Sequence, residues 1–426
     1  MVPAAVLDRY NLHPYITHGH VYFEIRKCMY GLPQAGKLSQ LRLIDHLSQH
    51  GFTQCPNTPC LFRHSTRDIT FCLVVDDFGV RYGSKDDADF LIDVLQLKGY
   101  ELTLKWDGNT YLGMSVTFDR ANKTVSLAMP DYITKMLTRF RPHYLNTGHR
   151  AAKTPGIYIP PKYGQQEPQL AEVDSSALLS PAQKLEIQGV VGTVLYYARA
   201  VDPTLLPVAN EIASRQANPT LQVLHATNRL LSYCTAHRNN GLTYHACDMA
   251  LHIHVDASYL SRSHARSVVG AIFFLGNRFQ PTRINGTIHA ISSIIPCVVA
   301  SAAEAEYAAI FAGAQHGAYL STVLPDLGYP QDPTIIMADN TTAIGIATDS
   351  IKQRRSKVQS RGHEIPLGAR SHTSGTIHYR LHQYQRKLGR LLHEEPRRAT
   401  TSTILNIPRQ SYFYFYITII WKSRVC

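Results

Sequence analysis

Two sets of carboxylates in this 426-residue sequence stand where they could do chemistry. In FCLVVDDFGV an apolar run delivers Asp76 and Asp77 side by side, and the chain is expected to turn at once at Gly79. Adjacent carboxylates repel, so such a pair is stable only when solvated or bridged by a cation. A solvated turn is the plain reading of a lone Asp-Asp. An acid pair at a strand turn is also how two Mg²⁺ ions are held where nucleotides are joined. Farther on, LHIHVDASYL puts Asp256 at the end of a strand, ASAAEAEYAAI puts Glu306 on a helix after a Ser/Ala entry, and TIIMADNTTAIGIA puts Asp339 at the end of another strand. Acid on strand, acid on helix, acid on strand is a layout for two divalent ions astride a scissile phosphate, one activating water and the other steadying the leaving oxygen. Glu304, two residues before Glu306, points elsewhere on a helix and reads as a surface acid. Asp339 has the alternative of capping the helix that begins near Thr341 and Thr342.

The elements that must position these acids follow from periodicity. Residues 20 to 135 alternate strand and helix signals, with HVYFEI and FCLVV as short β-branched and aromatic runs and LSQLRLIDHLSQHGF as the helix between them. Residues 145 to 180 are rich in Pro, Gly, Gln and Ser, break both periodicities and read as a connector. From Ser180 to Thr235 the pattern is helical, opened by a Ser cap and a Pro at the first helical position in SPAQKLEIQG. The third segment mixes strands (LHIHVDASYL, AIFFLG), an Ala-rich helix and a strand passing into a helix. There is no internal repeat.

A chain of this length with 44% hydrophobic residues can bury two or three cores. Its net charge of +12 would ordinarily point to nucleic acid. Residues 351 to 426, however, hold 15 Lys plus Arg against 3 Asp plus Glu, whereas the first 350 residues hold 28 of each. The basicity therefore belongs to the tail and says little about the partner of the rest. Eight cysteines without a C-x-x-C pair, and the lack of a charged-then-apolar leader, favour a reducing, cytoplasmic setting. The run YFYFYITIIW from Tyr412 to Trp421 is too short to cross a bilayer as a helix and reads as a strand or a sticky tail, so no membrane partner is expected.

Upstream of the Asp pair, KCMYGLPQAG supplies an aromatic, a Gly-Leu-Pro turn and Gln34 just before a helix. Together with VVDDFGV and WDGNTYLGMSV, in that order and spacing, it resembles the reverse transcriptases of copia-type retrotransposon polyproteins. VDASY, ASAAEAEYAAI and ADNTTAI resemble the three successive ribonuclease H elements of the same polyproteins, and IQGVVGTVLYYARAVDPTLLP resembles the connection segment between the two. The resemblance runs from about Tyr10 to Lys357. It implies an RNA-directed DNA polymerase with a ribonuclease H, with Asp76, Asp77, Asp256, Glu306 and Asp339 as catalytic metal ligands and Tyr30, Gln34 and Gly36 lining the nucleotide site; an ordinary helix entry is the plain alternative for Tyr30 and Gln34. The implied cofactor is Mg²⁺ or Mn²⁺. The implied partners are RNA, DNA, the RNA–DNA hybrid, dNTP and the rest of the element polyprotein. A virus-like particle or the nucleus joins the cytoplasm as an implied location.

The family's palm also needs an Asp on an earlier strand, and only 29 residues precede Tyr30. Asp8, in VLDRYNLHPY, has no strand leading into it. Beyond KQRRSK the family would continue with a His-bearing helix and a last carboxylate in a segment like ADYFTK, but here the sequence reads VQSRGHEIPLGARSHTSG. Codons for HEIPLGAR, read one base later, can give MRFHWVRD, and those for RKLGRLLHEEP can likewise give ENLADYFTKNH. The expectation is a displaced frame near residues 358 to 362, no fourth nuclease carboxylate, no polymerase activity from this chain alone and little or no nuclease activity. The expected fold class is α/β and α+β multidomain: a partial reverse-transcriptase palm at 1–140, a connector at 141–179, a helical connection segment at 180–248, a ribonuclease H-like mixed sheet with helices at 249–357, and a disordered tail at 358–426.

Overall fold

The computed structural model describes residues 3–23, 32, 34–146, 148–157, 174–278, 284–348, 379–383 and 415–422. The chain divides into two compact units, Met1–Gly108 with Arg409–Cys426, and Asn109–Pro408.

In chain order the first unit contains α1 (Ala4–Arg9), the short pair β1 (Ile16–Thr17) and β2 (His20–Val21), α2 (Ala35–Gln49), β3 (Phe52–Gln54), β4 (Leu61–His64), β5 (Ile69–Val74), β6 (Asp77–Tyr82), α3 (Lys85–Leu97) and β7 (Glu101–Lys105). Strands β3 to β6 follow one another in an antiparallel sheet, which continues through the strand Phe415–Lys422 to β7. Alternation along β5 and β6 sends Ile69, Phe71, Leu73, Phe78, Val80 and Tyr82 into one core with Leu43 and Leu47 of α2 and Leu91 and Leu95 of α3. Asp77, Gly79 and Arg81 take the alternate positions of β6, away from that core.

The second unit opens with β8 (Thr110–Tyr111), β9 (Met114–Asp119), β10 (Thr124–Ala128) and α4 (Pro130–Phe140). Three longer helices follow, α5 (Pro181–Ala200), α6 (Leu206–Arg215) and α7 (Leu221–Ala236), and then β11 (Gly241–His245), which pairs with β10. The cap expected at Ser180 is present: its hydroxyl accepts the Gln183 N–H, and the Gln183 side chain accepts the Ser180 N–H at 3.1 Å. Val190, Val194 and Tyr197 of α5, Leu206 and Ile212 of α6 and Leu230 and Leu231 of α7 share a core with Ile133 and Leu137 of α4. Residues 109–140, expected to belong with the Asp76–Asp77 segment, therefore fall in the same compact unit as the helical segment.

A five-stranded sheet completes the unit. It is built from β12 (Ala250–Arg262), β13 (Arg266–Gly276), β14 (Thr287–Ile294), β15 (Thr334–Ala338) and β16 (Tyr379–Gln383), with α8 (Ala302–Asp326) and α9 (Thr341–Ala347) in the connections. The strand order is β14-β13-β12-β15-β16; the first three are antiparallel neighbours, and β15 runs parallel to both β12 and β16. Ile253 and Val255 of β12 share a core with Ala305, Ala309 and Ile310 of α8. Gly313 and Gly317 allow that approach: an added Cβ at Gly313 would lie 2.5 Å from a Val255 methyl, and one at Gly317 2.4 Å from the end of Ile253. Two strands, β16 and β17 (Phe415–Lys422), fall inside the segment expected to be disordered, and the second lies in the run expected to be a strand or a sticky tail.

The seat of α8 on β12 is thus set by glycine. Gly313→Val should destabilise the protein by about 1–3 kcal/mol through overpacking, which thermal unfolding would read as a Tm lower by roughly 2–10 °C. Gly192→Ala is the control, because nothing lies within 4 Å of its added Cβ and removing a mid-helix glycine should stabilise by about 0.5–1 kcal/mol.

Candidate metal centre

Three of the five sequence-selected acids meet. Asp256, Glu306 and Asp339 each offer a carboxylate oxygen, and these atoms all lie within 4.8 Å of one another. Strand β12 carries Asp256 opposite Gly270 of β13, and the Asp256 carboxylate accepts the Ala257 N–H at 2.9 Å. Glu306 sits in the second turn of α8, whose start is fixed twice: the Ser301 hydroxyl accepts the Glu304 N–H at 3.2 Å, and the Glu304 carboxylate accepts the Ala300 N–H at 2.8 Å. Glu304 is therefore part of the helix cap, which leaves Glu306 as the acid that faces the cluster. Asp339 follows β15 directly. The helix after it is capped by Asn340, whose side chain accepts the Ala343 N–H at 3.0 Å, so Asp339 is released from the capping role weighed for it.

The Asp76–Asp77 pair is placed differently. Strands β5 and β6 form a hairpin in which Val74 pairs with Asp77, so the turn consists of Val75 and Asp76. The expectation of a turn at Gly79 is corrected: Gly79 lies inside β6 opposite Cys72. Val75 turns the chain at φ 56°, a left-handed conformation costly for a β-branched residue, and the residue is 81% exposed. A two-residue hairpin demands positive φ at its first central position, which explains the strain. Partial burial and the neighbouring Asp77 raise the Asp76 carboxyl above the usual carboxylate range. Among the described residues no third carboxylate, His or Cys joins this pair. Asp8 lies on α1 and bonds His13 at 2.6 Å.

Gln34 immediately precedes α2 and makes no side-chain cap to it, and Gly36 in the first turn has open space where a Cβ would project. Tyr30 lies outside the described residues.

No protein-family model matches the sequence. The retrovirus-related Pol polyprotein from transposon TNT 1-94 of Nicotiana tabacum is 22% identical over 342 residues, which is 79% of this chain and 24% of the relative. The chain is related to retrotransposon Pol polyproteins. It spans about a quarter of the length of that relative. Among solved structures, the foamy viral protease-reverse transcriptase in complex with dsDNA aligns with 81% of this chain and 58% of its own, at 12% identity and a TM-score of 0.39.

In this Pol-related chain the electrostatics of the cluster suit a cation. Glu306 is only 8% exposed, and one of its carboxylate oxygens, Oε2, is buried without a hydrogen-bond partner. Burial first, then the charges of Asp256 and Asp339 and a hydrogen bond with Asp256, push its carboxyl up to about 7; the Ala257 N–H offsets only part of this. Burial and Asp339 also raise Asp256, against the opposing effects of the Ala257 N–H and of Glu306. Oxygen donors converging around an unsatisfied buried carboxylate fit a hard divalent ion.

A carboxyl raised in the folded state costs stability when it ionises. In the absence of divalent cations, stability should fall as pH rises from about 4.5, the ordinary value for Glu, through about 7. The expected outcome is a drop in Tm across that window that Glu306→Gln flattens, with Mg²⁺ or Mn²⁺ raising Tm at pH 8 and not at pH 5. Unchanged pH dependence in the variant would show that Glu306 is not the titrating group.

Proposed function

We propose that the chain is the rear half of a copia-type reverse transcriptase joined to most of a ribonuclease H, whose nuclease chemistry is cation-dependent hydrolysis of the RNA strand of RNA–DNA hybrids, and that this chain retains little or none of either activity. The observation that carries this reading is the convergence of Asp256, Glu306 and Asp339 from β12, α8 and β15. The sheet supports it: three antiparallel strands followed by two parallel ones put Asp256 on β12 and Asp339 just past its parallel neighbour β15, while α8 crosses with Glu306. The relationship to a transposon Pol polyprotein supports it independently.

In this reading the three carboxylates hold Mg²⁺ or Mn²⁺. The bound cations would activate a water and steady the leaving oxygen of the phosphodiester. The chain's own contribution is position: the Ser301 cap and the Gly313 seat fix where Glu306 projects, and Asn340 leaves Asp339 unencumbered. Glu306 must also be deprotonated, so cation binding and its proton compete.

Asp76 and Asp77 are then the remainder of a polymerase centre, with Tyr30, Gln34 and Gly36 beside the dNTP. Residues beyond about 358 are read in a displaced frame, so the fourth nuclease carboxylate is missing. RNA, DNA, their hybrid, dNTP and the rest of the polyprotein are the partners of this reading, in the cytoplasm, a virus-like particle or the nucleus. A second reading is a catalytically inert remnant that binds nucleic acid; the lack of a third ligand at Asp76–Asp77 among the described residues favours it for the polymerase half.

Two assays separate these outcomes. With a labelled hybrid and Mn²⁺, at most slow cleavage confined to the RNA strand is expected, and Asp256→Asn should abolish whatever is seen; cleavage indifferent to that substitution would overturn the assignment. With primer, template and dNTP, no extension is expected, and measurable Mg²⁺-dependent extension would refute the claim that the polymerase half is idle.

A further inference from the structure

Away from the carboxylates, two imidazoles from different elements meet on the outer part of the five-stranded sheet. His289 of the edge strand β14 and His316 of α8 approach with Nε2 and Nδ1 3.1 Å apart, ring centroids 5.1 Å apart and planes inclined by 26°. Phe273 of β13 packs against both rings. Neither ring makes any other hydrogen bond to the described residues, and His316 is open to solvent. A separation of 3.1 Å suits one shared N–H···N hydrogen bond. It also suits a single metal ion: two imidazole nitrogens at about 2.0–2.1 Å from one ion in neighbouring coordination positions lie roughly 3.0–3.4 Å from each other.

We propose that His289 and His316 form a second cation site, selective for a borderline transition-metal ion such as Cu²⁺ or Zn²⁺ rather than Mg²⁺. Neutral imidazole nitrogens are poor ligands for hard Mg²⁺ and good ones for Zn²⁺ and Cu²⁺, with Cu²⁺ the tighter. Binding needs no net proton release: the hydrogen shared between the rings moves to the other nitrogen of the same imidazole, which becomes a donor to solvent. No third protein ligand completes the site among the described residues, so water fills the remaining positions and the site is weak. The guanidinium of Arg199, whose charge already disfavours protonated His289, opposes the cation and weakens it further. His316 stands ten residues after Glu306 on α8, about 15 Å along the helix axis, which separates this site from the carboxylate cluster. The proposal is independent of the nuclease reading. Its consequence is that transition-metal ions would bridge β14 to the helix that carries Glu306.

The test is electron paramagnetic resonance of the full chain with one equivalent of Cu²⁺, together with calorimetric titration of Zn²⁺. The wild type and Glu306→Gln should both give a spectrum with coupling to two nitrogens. His316→Gln, a substitution at an exposed position, should lose that coupling and bind Zn²⁺ at least about tenfold more weakly; His289→Gln should do the same. A spectrum and affinity unchanged by His316→Gln would mean that the pair only shares a proton, and would overturn the proposal. Loss in Glu306→Gln instead would assign the ion to the carboxylates and overturn it as well.

Discussion

Repulsion among three carboxylates crowded within 4.8 Å, one of them almost fully buried, is the constraint on which the second unit depends. Left alone, such a cluster is unfavourable, because burial penalises the charged form and neighbouring like charges add to it. The fold imposes it nonetheless through rigid elements. Strand β12 is locked between β13 and β15, so Asp256 has little freedom. Helix α8 is held down on Ile253 and Val255 by two glycines, and its first turn is fixed by Ser301 and Glu304. Asn340 takes up the helix start beside Asp339. The unfavourable electrostatics are local, and the hydrophobic seat of α8 offsets them.

The Asp76–Asp77 hairpin shows the opposite balance. Its acids are solvated or half-buried at the tip of a hairpin, and the strain there lies in the backbone of Val75. A largely solvated pair tolerates its own repulsion without a cation, so its geometry alone argues less for metal binding than does the cluster around the buried Glu306. The two sites thus carry unequal physical evidence.

Much of this was legible in the sequence because it was local. Strand-then-acid and acid-on-helix patterns pointed to Asp256, Glu306 and Asp339, although Asp256 proves to lie inside β12 and not at a strand end, and the Ser cap followed by Pro announced the start of α5. The choice of Glu306 over Glu304 rested on family register, and the structure supplies the physical reason: Glu304 is engaged in the cap. What escaped sequence reading depended on contacts distant along the chain. The hairpin turned at Val75–Asp76 and not at Gly79, because cross-strand register set its position and no glycine stood there to mark it. Residues 109–128 joined the helical segment through the pairing of β10 with β11, more than a hundred residues apart. The His289–His316 contact has no sequence signal at all. Likewise, an apolar aromatic run such as Phe415–Lys422 announces a strand without saying which strands it will lie between.

The most direct test of the central claim is to diffract crystals of the protein soaked in Mn²⁺ at pH 8 and locate the metal by anomalous scattering. An anomalous peak bounded by Asp256, Glu306 and Asp339, absent in crystals of Glu306→Gln, is the result expected from a cluster built to hold a cation. An ordered wild-type structure with the three carboxylates together and no peak between them would contradict it.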